Sequence, residues 1–371
     1  MKKLNISKPT IIQWLGRKEY QENRGWQKDK ARKHTDKTVS EKICSLKRAR
    51  IDGKKYFVGS QYVQMDYAKQ YSQEAMPTVW QIDQAVREAK LQTKKPKGKK
   101  KRGGSKYLLY PAECVKQIGD VQQSADFIGK KYIAGRTEPI NIFSSSYYSP
   151  FKLYKIKRIS AEKTTYAIDE LKEQWRHYPI PNVFRIDNGL QFRGTSSGKR
   201  AIGMFLRFLL NLGVAPLFGS PSKPWTNPHV EGHNRVFNEK VWGNNFFTGL
   251  EQIDQECERF NQESLELFKF RYSQLIFNGN FNYLEHTQET VTDKLITTKG
   301  KKIYFIRFLE SPNKDDKAST IILNERICLP GKYNHQFVFV EWNIEKEQLL
   351  FYSEFENQIT LIHQVRFRLN I

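Results

Sequence analysis

Acidic residues are scarce where the chain begins. Residues 1–106 carry 10 Asp/Glu against 28 Lys/Arg, whereas residues 107–297 carry 20 against 23 and residues 298–371 carry 9 against 11. Most of the net formal charge of +23 is therefore confined to the N-terminal part. A localised surplus of that sign is the footprint of a polyanionic partner, most often nucleic acid. Cysteine is sparse too. Cys44, Cys114, Cys257 and Cys328 lie far apart with no Cys-x-x-Cys pair, which excludes a disulfide framework and a cysteine zinc site and reads as buried thiols in a reducing compartment. The seven histidines are equally scattered. Long apolar runs and lipidation signals are missing, which disfavours a membrane partner for the basic region. No apolar signal segment follows Met1-Lys2-Lys3, so the expected location is the cytoplasm. There are no internal repeats.

What is present suffices for two or three domains in 371 residues. Residues 8–91 read as short helices. Ile11, Ile12 and Leu15 stand at helical spacing, and Val39, Ile43 and Leu46 recur at i, i+4 and i+7 with Thr35 and Asp36 as candidate N-caps. Ser60 is positioned to cap a helix bearing Val63 and Tyr67, and Met76-Pro77-Thr78 leads into a helix bearing Val79, Ile82, Val86 and Ala89. Helix, turn, helix within a basic segment predicts a helix-turn-helix DNA-binding region over residues 1–93. Its recognition helix, about Val79 to Leu91, would expose Trp80, Gln81, Gln84, Arg87 and Lys90. The alternative is a small helical bundle with a solvated basic face.

Residues 94–108 read as a basic linker. Lys94 to Lys106 holds eight Lys/Arg, three Gly and one Pro with no acid. Such a segment buries no apolar surface, and Lys99, Lys100, Lys101 and Arg102 are placed to track phosphates. Residues 109–285 alternate strands with helices, the α/β pattern. Residues 298–371 break into short β runs, which predicts a small β-barrel.

Three stretches of the α/β region carry acids in a distinctive order. Val183-Phe184-Arg185-Ile186-Asp187-Asn188-Gly189 is an apolar run ending in a carboxylate at an immediate turn, although Asp-Asn-Gly is also ordinary turn chemistry. Asp126 lies in Gln122-Gln123-Ser124-Ala125-Asp126-Phe127-Ile128-Gly129, and Glu231 follows Asn227-Pro228-His229-Val230. Together they resemble the DDE catalytic core of integrase-type transposases, which share the retroviral integrase fold, over about Pro111 to Tyr283.

The resemblance implies a multidomain chain. An RNase H-like integrase core, a mixed five-stranded sheet flanked by helices, would follow the helix-turn-helix region, and the C-terminal barrel would be SH3-like. It implies a DNA transposase of a bacterial insertion sequence that binds double-stranded element ends and is at least a dimer on DNA. Asp126, Asp187 and Glu231 would hold two Mg²⁺ or Mn²⁺ ions, which clamp the attacking and leaving oxygens of an in-line displacement. Asp120 competes with Asp126, but only Asp126 is followed by the Phe-Ile-Gly context. Glu239 competes with Glu231 and lacks the Asn-x-x-Val context. Asn227, Asn234 and Arg235 would share a helical face with Glu231 as DNA-contacting groups.

Two features depart from the retroviral pattern. There is no N-terminal His-His-Cys-Cys zinc site, and 43 residues separate Asp187 from Glu231, a longer interval than usual. Arg193 to Arg200 would absorb the excess as a surface loop. Zinc ligation by His229 and His233 is disfavoured, because no third soft ligand stands nearby. The reading from another class is a catalytically inactive DNA-binding regulator that retains the fold.

Overall fold

Among the described residues the first helix is α1 (Lys37–Asp52), and Asp36 precedes it where the sequence places a cap. Its carboxylate accepts from Thr38 N at 2.8 Å and Val39 N at 3.4 Å. The computed structural model describes residues 35–92, 110–194, 198–223, 226–279, 281–286, 294–311 and 317–370. Ile11, Ile12, Leu15 and the basic stretch containing Lys99, Lys100, Lys101 and Arg102 lie outside them. The chain forms two compact units, Met1–Gly53 with Val58–Thr93, and Lys54–Phe57 with Lys94–Ile371.

In the first unit, α1 packs with α2 (Ser60–Gln70) and α3 (Val79–Glu88) around Ile43, Leu46, Val63, Tyr67, Ile82, Ala85 and Val86. Most of the expected apolar positions form this core, but Val39 is only partly buried against it, Ala89 is exposed, and Ala85 takes a core place on α3 that the spacing did not assign. Ser60 is not the cap. Gly59 holds that position in extended conformation, and the Ser60 hydroxyl bonds Asp83 instead. Thr78 and Gln81 form a reciprocal capping box at the start of α3. Residues 71–78 connect α2 to α3, longer than the three- to four-residue turn of a compact helix-turn-helix. Helix α3 also ends before Leu91, with Lys90 in the left-handed region at φ 53°.

The second unit opens with a short helix, α4 (Ala112–Lys116), followed by the antiparallel meander β1 (Gln122–Lys131), β2 (Ile140–Ser149) and β3 (Leu153–Ile159). Then come α5 (Thr164–His177), β4 (Val183–Ile186), α6 (Leu190–Arg193), α7 (Met204–Asn211) and β5 (Ala215–Phe218). Strand β4 pairs in parallel with both β1 and β5. Helix α8 (Pro228–Phe237) runs on into a π-helical turn, Asn238–Trp242, and a long helix, α9 (Leu250–Asn278), follows. Asn261 on α9 exchanges hydrogen bonds with the backbone of Ile156 at 2.8 Å each way, so α9 covers the β3 edge that would otherwise stay unpaired.

The C-terminal strands are β6 (Lys302–Phe308), β7 (Lys317–Ile322), β8 (Glu325–Pro330), β9 (Phe337–Asn343), β10 (Gln348–Phe355) and β11 (Gln358–Arg366). They are antiparallel among themselves but do not close into a separate barrel. Strand β6 pairs in parallel with β5, through Leu217↔Tyr304 and Phe218↔Phe305. The result is one nine-stranded sheet of order β11-β10-β9-β6-β5-β4-β1-β2-β3, beside a β7–β8 ribbon.

The reason is legible in β6 itself. Ile303, Tyr304, Phe305 and Ile306 are all buried, so both faces of the strand need cover, as in the interior of a sheet. Trp175, Phe184 and Phe205 from the central part share one buried cluster with Phe305, Val340, Trp342 and Phe351. Each such side chain contributes roughly 1.5–3 kcal/mol on burial, so the same effect holds both parts of the sheet. Among the described residues, no helix is long and apolar enough to cross a membrane.

Candidate active site

Strand alternation aims the first acid. Ala125 and Phe127 belong to the main core, which leaves Asp126 on the opposite face of β1. Asp187 stands one residue beyond β4, where its Oδ1 accepts from Gly189 N at 2.9 Å and tightens the turn. The Asn188 amide crosses to Gly219 O at 2.8 Å and ties that turn to the loop after β5. Thr226 Oγ1 closes this loop by accepting from Ser220 N at 3.0 Å and donating to Lys223 O at 2.7 Å. A Cβ at Gly219 would come within 3.0 Å of that same oxygen, so a larger residue would press on the closure. Pro228 opens α8, and Glu231 falls in its first turn, where the helix dipole favours a carboxylate.

Asp126, Asp187 and Glu231 thereby line one cavity of about 400 Å³, with Asn188, Gly219, Lys223 and Asn227 on its walls. Asp126 and Asp187 are half-buried and Glu231 is exposed. Burial, followed by the charges of Asp187 and Glu231, pushes the Asp126 carboxyl up to about 8. The Phe127 backbone and the Asn234 amide, 2.9 Å from its Oδ2, act in the opposite direction. Burial raises Asp187 against the Gly189 N–H, and burial and then Asp187 raise Glu231.

Acids that disfavour one another's ionisation around an open cavity are a donor set suited to a hard cation. They are not drawn into a closed ligand cluster. No such group of three His, Cys, Asp or Glu occurs among the described residues.

The neighbouring histidines have other work. His233 is buried, stacks on Tyr154 at 4.4 Å and lies 3.1 Å from Ser144 Oγ. His229 stacks on Tyr148 at 4.2 Å. Burial pushes His233 down to about 3, and burial with the charges of Arg185 and Lys152 pushes His229 down to about 4. Both pack α8 against the sheet as neutral rings.

The remaining candidates divide. Asn227 is buried on the cavity wall with its Oδ1 lacking a protein partner. Asn234 faces inward to Asp126 rather than outward, because the helix turns it beneath Glu231. Arg235 is exposed, 3.8 Å from Glu239. Asp120 is exposed before β1, and neither it nor Glu239 lines the cavity. In the first unit Trp80 is 62% exposed, and Arg87 and Lys90 are exposed as well. Gln81 is held by its capping box, and Gln84 donates to Glu88 at 2.9 Å. Pro224 and Trp225 lie outside the described residues.

Three residues near the site escaped the sequence reading: Asn188, Lys223 and Arg307. Asn188 is the middle residue of the Asp-Asn-Gly turn, and Arg307 is the lone charge toward the end of an apolar β run. Lys223 offered no comparable signal.

Neither a protein-family model nor a curated protein sequence matches the chain. Among solved structures it is similar to a chain of the simian T-cell lymphotropic virus intasome in complex with PP2A regulatory subunit B56 gamma. The two are 13% identical with a TM-score of 0.32, over 78% of this chain and 98% of that chain. A likeness this loose transfers no residue roles, so the site is read from its own geometry.

Proposed function

We propose that this chain is a metal-dependent DNA transposase of the integrase-core type. The observation that carries the reading is the meeting of Asp126, Asp187 and Glu231, from β1, the end of β4 and the start of α8, around one cavity. Their order and sequence contexts are those by which the chain resembles the DDE family. The central strands, β5-β4-β1-β2-β3 with only β2 reversed, support an RNase H-like core.

The three carboxylates would hold two Mg²⁺ or Mn²⁺ ions. When bound, such ions activate an oxygen nucleophile at neutral pH and stabilise the departing oxygen. Asn234 orients Asp126, and the Gly189 N–H orients Asp187. In the first reaction a water oxygen bonds to phosphorus as the P–O3′ bond breaks, leaving a 3′ hydroxyl and a 5′ phosphate. In the second, that 3′ hydroxyl bonds to a target phosphorus and releases the target's own 3′ oxygen. The first step spends one water and leaves a phosphomonoester, and in the second one phosphodiester forms as one breaks, so neither step requires a covalent enzyme intermediate.

The three-helix unit, with exposed Trp80, Arg87 and Lys90, would bind the element's double-stranded ends. Joining two ends requires at least a dimer on DNA. The test is strand transfer by the full chain on the element's own ends, with Mg²⁺ and with EDTA. Joined products only with the metal are expected. Binding without cleavage under any divalent ion would select the inactive regulator instead.

A further inference from the structure

Arg307 is the lone charged residue between Ile303 and Phe308, and it is 3% exposed. A buried guanidinium is normally met by a carboxylate. Among the described residues none pairs with Arg307, and its protons go to oxygens of four segments. Nε donates to Ile321 O at 3.1 Å, and Nη1 to Gly219 O at 2.8 Å and Ile306 O at 2.9 Å. Nη2 donates to the Asn188 side-chain oxygen at 3.0 Å. Burial and the Arg193 guanidinium lower its pKa to about 9, which leaves it charged at neutral pH.

Two of those partners are the walls of the candidate site. Asn188 directly follows Asp187, Gly219 begins the loop that leads to α8, and both line the cavity. Asn188 itself donates to Gly219 O, so Arg307, Asn188 and Gly219 form a closed triangle of hydrogen bonds. The residues beside Arg307 reinforce the junction. Phe305 stacks on Phe218 at 5.2 Å, and the Lys223 ammonium lies 4.4 Å from the Phe308 ring centre. A planar fork spreads its donors over three nitrogens and so reaches these separated acceptors at once, whereas an ammonium's three donors all radiate from one nitrogen.

We infer that Arg307 is a positioning residue of the candidate active site: from the C-terminal part of the sheet, it locks the Asp187–Gly189 turn to the Gly219 loop and so fixes the direction of the Asp187 carboxylate. The C-terminal strands are then a working part of the catalytic unit. The inference rests on the metal-dependent reading of the site.

The test compares the full chain with Arg307→Met, Arg307→Lys and Asn188→Ala. It uses Mn²⁺ binding by titration calorimetry, nicking kinetics, and metal-free hydrogen exchange over residues 187–193 and 219–223. Arg307→Met should weaken Mn²⁺ binding about 10–100-fold, as loss of a group that orients a ligand does. It should lower kcat with little change in KM for DNA, and exchange should quicken in both segments. Arg307→Lys should recover part of each, and Asn188→Ala should share the loss. Unchanged exchange in a folded Arg307→Met chain, or wild-type Mn²⁺ affinity in both Arg307→Lys and Asn188→Ala, would overturn the inference. If Arg307→Met fails to fold, the other two variants decide it. If the native chain binds no Mn²⁺ but Arg307→Met still loosens both segments, the metal reading falls and the anchor stands.

Discussion

The side-chain amide of Asn234 donates to the carboxylate of Asp126 at 2.9 Å, so the helix that carries Glu231 also holds a second acid of the same cavity. A hydrogen bond to a charged acceptor is worth roughly 1.5–3 kcal/mol. Asn234→Ala should therefore lower kcat for nicking by about 10–100-fold. The donation favours ionised Asp126, so its loss should also move the acid limb of the pH–rate profile upward. A variant with an unmoved limb and native kcat would show that the amide does not orient this acid.

The three carboxylates should be individually indispensable. Asp126→Ala, Asp187→Ala and Glu231→Gln are each expected to abolish nicking and strand transfer while leaving DNA binding largely intact. Asp120→Ala should retain activity, because Asp120 is exposed and lies outside the cavity lining. An inactive Asp120 variant beside an active Asp126 variant would reverse the assignment of the first acid.

Without metal, the site should weaken the fold in a pH-dependent way. The Asp126 carboxyl lies at about 8 in the folded chain against 3.8 for an unperturbed group. Below about pH 4 it is protonated in both states and costs nothing. As pH rises toward 8 the unfolded chain ionises more readily, so stability falls, and above 8 the loss is complete. In EDTA, Asp126→Asn should melt at a higher temperature than the native chain, by an amount that grows from pH 5 to pH 9 and reflects on the order of a few kcal/mol. Mg²⁺ should raise the native Tm and have little effect on the variant. Equal melting temperatures across that range would mean that neither burial nor the neighbouring carboxylates disfavour ionised Asp126.

The C-terminal strands should not be dispensable for folding. Phe305 is fully buried and stacked on Phe218, so Phe305→Ala should cost roughly 3–5 kcal/mol in a urea melt. A chain cut before Thr298 should lose its cooperative transition, because β5 would become an uncovered apolar edge. Cooperative melting of that shorter chain would restore the view of a separate C-terminal domain.

Trp80 offers the opposite case, a large exposed aromatic whose removal should be nearly neutral for stability. Trp80→Ala should leave Tm unchanged and weaken binding of the full chain to the element's ends, read by fluorescence anisotropy. Native affinity in the variant would remove Trp80 from the contact surface.

Local chemistry was legible in the sequence wherever a single segment determines it. Helical spacing located Ile43, Val63 and Ile82 in the first unit, and the Asp-Asn-Gly turn placed Asp187 at a strand end, because these patterns express near-neighbour backbone geometry. Asp126 rather than Asp120 lines the cavity, and the preference for it in the sequence rested on the family resemblance of the Phe-Ile-Gly that follows it. Tertiary structure alone decided which distant segments meet. The parallel pairing of β6 with β5 merged an expected separate barrel into the main sheet, since strand pairing depends on partners far apart in the chain. The same packing turned Asn234 inward to Asp126 and carried Arg307 to Asn188, 119 residues away in sequence. No local periodicity encodes such hydrogen bonds, because they exist only once the burial of apolar faces has brought the segments together.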